Sequence, residues 1–313
     1  MSIQVGGRST RALLANTMSL ATVAAGRPGQ RWWRSFRRSP QAIVGLVCVA
    51  FVLAFAFLAP LFAPSPIAQD LGARLLPPIW DGGTPAHLFG TDLLGRDILA
   101  RLAGGIQVSL FVVVASMVAS ILIGTVIGLL TGYFGGWLDA IVMRIADVQL
   151  AFPEILLILL VVGTLGPGTG TLIFVLALTG WVIYARVVRS QTLSLRKKEF
   201  IDAARALGAS DRRTVLRHIF PNLTAQLTVI ASFATANIVL IEAALSFLGL
   251  GVPPPTPSLG GMIAEGQAYL VANPWLCIIP GMAIFIIVAG VNLLGDWLRE
   301  VLNPKSHRTG GRP

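Results

Sequence analysis

Six nearly uncharged runs constrain this chain more than any other feature, because roughly 20 apolar residues are what a helix needs to cross a hydrocarbon core of about 30 Å. They fall near residues 41–62, 105–132, 138–163, 170–190, 223–249 and 274–297. A segment in lipid must satisfy its backbone polar groups internally, so the runs are read as helices and the fold class as all-α, a polytopic membrane protein. Composition agrees: 55% of the 313 residues are hydrophobic and 12% are charged, far below the share usual in soluble domains. The third run is the least regular, since its uncharged part is short unless the helix also carries Arg144, Asp147 and Glu154. "GPG" at 166–168 then turns the chain back.

The net charge of +10 raises nucleic acid as a partner, but basic residues beside apolar spans are more simply topology signals. All but three of the 24 Lys and Arg fall before the first run, at Arg144, between Arg186 and Arg217, or at the C-terminus; Arg74, Arg96 and Arg101 are the exceptions. The positive-inside rule therefore predicts that both termini and the long insert at about 191–222 are cytoplasmic. Residues 1–40 read as an uncleaved cytoplasmic arm with Trp32 and Trp33 as an interfacial anchor. A cleaved signal peptide there would leave "RWWRSFRR" outside, against the charge rule. Residues 41–304 form the transmembrane domain, with external loops at about 63–104 and 250–273, and 305–313 a cytoplasmic tail. Cys48 and Cys277 sit in apolar runs with no spacing for a disulfide framework or a metal site.

The insert holds "EFIDAARALGASDRRTVLRHIFPN", Glu199 to Asn222. Phe200, Ala203, Ala204 and Leu207 recur at i, i+3, i+4 and i+7, placing an apolar stripe on a short helix flanked by Asp202 and Arg205. Gly208 suits a helix end, and Ser210 suits the cap of a second helix with Asp211 in its first turn. That helix shows Val215, Leu216, Ile219 and Phe220 on one side and is predicted to stop at Pro221-Asn222. Two readings stand on spacing alone: a loop packed on its own membrane helices, or a knob that docks on a soluble partner.

"DAARALGASDRRTVLRHIFPN" resembles the cytoplasmic EAA loop of ABC-transporter permeases, with Asp202-Ala203-Ala204 in place of Glu-Ala-Ala, then Gly208 and Pro221 at the family spacing. "HLFGTDLLGRDILARL", "LAFPE", "EAALSFLGLG" and "PPTPSLG" are similar to the second permease of dipeptide, oligopeptide and nickel importers, and the resemblance covers roughly residues 40 to 304. It implies a type I ABC importer permease fold of six helices in a bacterial inner membrane. It also implies a second permease, two cytoplasmic ATPases that bind ATP and Mg, and an extracytoplasmic solute-binding protein. Asp202, Ala203, Ala204, Leu207, Gly208, His218 and Pro221 would then form the coupling element. The chain is expected to be non-catalytic and without a cofactor of its own. It has no GxxxxGK[ST] loop, and its three lysines, Lys197, Lys198 and Lys305, follow no suitable glycine run.

Other classes fit less well. A secondary transporter calls for internal repeats around midplane ligands, and no convincing repeat is present. An intramembrane enzyme needs a nucleophile–base pair or a metal cluster, yet His87, His218 and His307 fall in three separate loops or tails. Within the spans, Ser116, Ser120, Gly124, Gly128 and Gly132 repeat every four residues, a small-residue groove for close helix packing within the chain or against the partner permease. Arg144 and Asp147, three apart, are expected to pair. Glu154, after the helix-kinking Pro153, is a candidate for lining the path; Glu242 either faces the path or bonds a neighbouring helix. Asp92, Arg96 and Asp97 of the "GTDLLGRD" motif are expected to make structural or docking contacts outside.

Overall fold

The computed structural model describes residues 35–302. The arm with Trp32 and Trp33, the signal-peptide question, and the tail with Lys305 and His307 lie outside the described residues. The principal helices are α1 Pro40–Leu58, α2 Ile98–Phe134, α3 Gly136–Ala151, α4 Glu154–Leu165 and α5 Thr169–Leu195, then α6 Glu199–Ala206, α7 Asp211–Phe247, α8 Leu259–Gly266 and α9 Trp275–Leu302. α1, α2, α5, α7 and α9 are long and apolar enough to cross a membrane. α3 and α4 meet at 93° and together make a sixth, broken span.

Three boundaries differ from the sequence expectation, each for a local reason. The run at 138–163 breaks at Phe152-Pro153. Phe152, preceding a proline, is forced into extended backbone (φ −91°, ψ 138°), and α4 restarts behind Pro153. α2 starts earlier than 105, at Ile98, because the Asp97 carboxylate accepts the Ala100 amide at 2.9 Å and caps it there. Arg101, whose charge ended the apolar count, lies inside this helix and is buried. Finally, the helix begun at Asp211 does not stop at Pro221 but runs unbroken to Phe247, which also places His218 in a helix rather than a loop. A wider π turn at Thr214–Ile219 precedes the proline and moves aside the carbonyl that its ring would strike.

Close backbone approach organises the bundle. The small-residue ladder of α2 packs on α5 of the same chain: a Cβ on Gly124 would lie 2.6 Å from the Trp181 carbonyl, on Gly128 2.6 Å from that of Ala185, and on Gly132 2.7 Å from Thr192 Cβ. Ser116 and Ser120, on the same stripe, are fully buried. α1 crosses α9 where Gly45 meets Gly290, and α8 sits so near α7 that a Cβ on Gly260 would overlap the Ala243 carbonyl. Three apolar clusters result among the described residues: a small one of Ala146, Trp181, Val182 and Ala185 joins α3 to α5, and two are larger. One, towards α8, includes Ile98, Val112, Leu172, Leu245 and Leu259. The other, towards α6, includes Leu129, Tyr133, Tyr184, Ile201, Ile219 and Leu223.

Candidate functional site

At the α6 end the chain builds an elbow. α6 closes in a Schellman turn: Gly208 takes φ +80°, its amide donates to the Arg205 carbonyl at 2.9 Å, and the Ala209 amide donates to the Ala204 carbonyl at 3.0 Å. Ser210 Oγ then accepts the Arg213 amide at 3.4 Å and starts α7. α6 is held to the bundle by Ile201, which is fully buried in the cluster beneath it and which the spacing argument missed. Two further contacts brace it: Tyr133 Oη donates to Asp211 at 2.6 Å, and the Arg205 guanidinium lies 5.4 Å from the centre of the Tyr133 ring. With Ile201 turned inward, the stripe read from the sequence faces away from the bundle. Leu207 is 89% exposed and Phe200 45%, while Asp202 and Ala203 are exposed and Ala204 is half-buried. Pro221 is exposed and His218 half-buried, its carbonyl accepting from Asn222 Nδ2 at 2.7 Å.

At the α8 end, Asp92, Arg96 and Asp97 are all buried, in a clamp that ties the long loop to the ends of α2 and α8. Arg96 donates to Asp92 at 2.6 Å and to Glu265 at 2.6 Å; Arg101 donates to Glu265 at 2.6 Å and makes a short bond to Asp92. Asp92 also accepts the Leu94 and Arg96 amides, at 2.8 and 2.9 Å. Burial pushes its pKa up, but the Arg101 charge and these hydrogen bonds together outweigh that and hold the carboxyl below its ordinary value of 3.8. Asp97 meets His87 Nδ1 at 2.8 Å while capping α2. Arg101 and Glu265 were not singled out from the sequence; each is a lone charge in an apolar helical stretch, and that was the available signal.

Between these ends, α3, α4, α5 and α7, with Ser120 of α2, line a partly open cavity of about 550 Å³. Glu154 lines it, at the start of α4 behind the bend, with Phe152, Phe233 and Asn237. Gln149 fixes the bend: its Nε2 donates to the Leu178 and Thr179 carbonyls at 3.0 and 3.1 Å, and its Oε1 accepts from Trp181 at 3.0 Å. Glu242 is elsewhere. It is wholly buried within the bundle, with Ser246 Oγ donating to its Oε1 at 2.9 Å. The expected Arg144–Asp147 pair does not form, because Asp147 instead meets Arg186 of α5 at 2.5 Å. Both side chains of that pair are about half exposed.

Comparison with known proteins places this architecture. Residues 124–308 match the family described as "Binding-protein-dependent transport system inner membrane component", and residues 27–78 match the N-terminal TM domain of oligopeptide transport permease C. The chain is 38% identical to the dipeptide transport system permease protein DppC of Haemophilus influenzae, over 91% of this chain and 97% of that one. It is 40% identical to the glutathione transport system permease protein GsiD of Escherichia coli O6:K15:H31, over 89% and 91% of the two chains. Its fold is similar to that of a chain in the inward-facing MetNI methionine ABC transporter, with TM-score 0.52, 21% identity, and 64% of this chain and 96% of that one covered. The six-span helical fold, a family match over more than half the length and relatives aligned almost end to end make this chain a member of the binding-protein-dependent ABC importer permeases.

Proposed function

We propose that this chain is one of two permease subunits of an ATP-driven importer of small peptides, supplied by an extracytoplasmic binding protein. The observation that carries the reading is the elbow. Its backbone is rigidly held by Ile201, Tyr133 and the Schellman turn, while Leu207 and Phe200 are left without cover. A rigid element that exposes large apolar side chains at a polar end of the molecule is built for a partner. The partners are two cytoplasmic ATPases that bind ATP and Mg2+, so the α6 end and both termini face the cytoplasm. Asp202, Ala203, Ala204, Leu207, Gly208, His218 and Pro221 form the coupling element. Peptide is the solute class because the relatives named above transport a dipeptide and glutathione, itself a small peptide.

The test is reconstitution in vesicles with a second permease, the ATPases and a binding protein. Binding-protein-stimulated ATP hydrolysis coupled to uptake of a labelled dipeptide or glutathione is expected. Uptake independent of ATP would contradict the coupling, and hydrolysis stimulated only by a non-peptide solute would contradict the solute class.

A further inference from the structure

The cavity at the α3–α4 bend carries a ligand chemistry that the subunit assignment does not specify. Its walls are mainly apolar and no Lys or Arg lines it. Of its polar residues, Gln149 has both ends of its amide engaged by α5, which leaves it no role towards a ligand. The Glu154 carboxylate and the Asn237 amide have no hydrogen-bond or ion-pair partner among the described residues. Both are exposed, as are Phe152 and Phe233, so all four are open to a ligand entering the cavity, and a carboxylate within a span calls for water or a cation as its partner. Glu154 is the first residue of α4, where the positive end of the helix dipole favours its charge, and a cation in the cavity would add a direct partner to that.

We infer that this cavity is a transit site for the amino-terminal end of a peptide, with Glu154 taking the α-ammonium, Asn237 the first peptide group, and Phe152 and Phe233 the first side chain. This rests on the peptide-permease reading. The chemistry fits each part: a carboxylate only accepts, and an ammonium only donates; an amide does both, as a peptide group requires. The volume lies in the range of small-molecule sites and exceeds what a dipeptide fills. Apolar walls without a second charge tolerate varied side chains, as a transit site for many peptides needs.

An amine-bearing lipid headgroup offers the same ammonium, so the test separates the two. The assembled complex, without binding protein, is placed in nanodiscs of phosphatidylcholine and phosphatidylglycerol, which carry no primary amine. Saturation-transfer NMR then compares dialanine with N-acetyl-dialanine. Dialanine should bind and the acetylated peptide should not. Glu154→Gln should weaken dialanine roughly ten- to hundredfold, the usual loss of a charged hydrogen bond, and Glu154→Asp should restore part of it. Equal signals from the two peptides, or an unchanged Glu154→Gln, would overturn the assignment. Loss of the dialanine signal on adding phosphatidylethanolamine would give the cavity to lipid and overturn it as well. Vesicle uptake by the unsubstituted complex is measured in parallel, so that failure of the peptide-permease reading is seen separately from failure of this site.

Discussion

The Tyr133 hydroxyl, at the last turn of α2, donates to the Asp211 carboxylate, at the first turn of α7, with 2.6 Å between the oxygens. One hydrogen bond thus joins two membrane-spanning helices at the point where the elbow leaves the bundle. If the elbow is the coupling element proposed above, this bond would carry its movement to both helices together.

Tyr133→Phe keeps the ring, the Arg205 contact and the packing, and removes only this bond, at a cost of about 1 kcal/mol. The complex should assemble and bind its ATPases normally. Uptake per ATP hydrolysed should fall, measured side by side in the same vesicles. An unchanged ratio would assign Tyr133 to packing alone.

The ladder of α2 predicts a graded response. Gly128→Leu drives a side chain into the Ala185 carbonyl and Val188, both on α5, where even modest overpacking costs about 1–3 kcal/mol. Folded monomer recovered by size exclusion should drop sharply. Gly163→Leu and Gly281→Leu, with nothing within 4 Å of the new Cβ, should be recovered normally. Equal recovery of all three variants would show that the α2–α5 contact does not govern folding.

The clamp at the α8 end predicts an acid limit. Because the Asp92 carboxyl is held below 3.8 in the folded chain, its contribution is fully present above that value and is lost as pH falls further through the folded pKa. Thermal unfolding in detergent should show no Asp92 contribution to pH dependence at neutral pH and lose stability only below about pH 4. Asp92→Asn should destabilise at neutral pH by about 3–5 kcal/mol, since Arg101, also buried, loses a charged partner. It should also flatten the acid limb. A variant as stable as the parent at pH 7 would contradict the clamp.

How much of this was legible in the sequence follows from the range of the signals. Five spans and a kink at Pro153 rest on hydropathy and one ring constraint, both local and both readable, although the 93° break into two helices goes beyond the kink expected. Gly208 and Ser210 are likewise local turn chemistry, and their conformations are those expected. Asp147 found Arg186 across two helices instead of Arg144 on its own, because the long Arg186 side chain reaches it from the neighbouring helix, which a spacing of three does not reveal. The continuation of α7 through Pro221 depended on a π turn that no spacing rule marks. Arg101 and Glu265 are distant in sequence, so their meeting needed the loop and α8 to be placed first.

The central claim is that the exposed stripe of α6 is the seat of an ATPase. Leu207→Asp puts a charge at its most exposed apolar position without disturbing buried Ile201, and Gly208→Val opposes the left-handed corner by roughly 1–2 kcal/mol. The most direct measurement is the ratio of ATPase to permease in the purified complex. Both variants should retain the second permease and lose most of the ATPase, with binding-protein-stimulated hydrolysis falling in step. A full complement of ATPase on both variants, with uptake intact, would contradict the account.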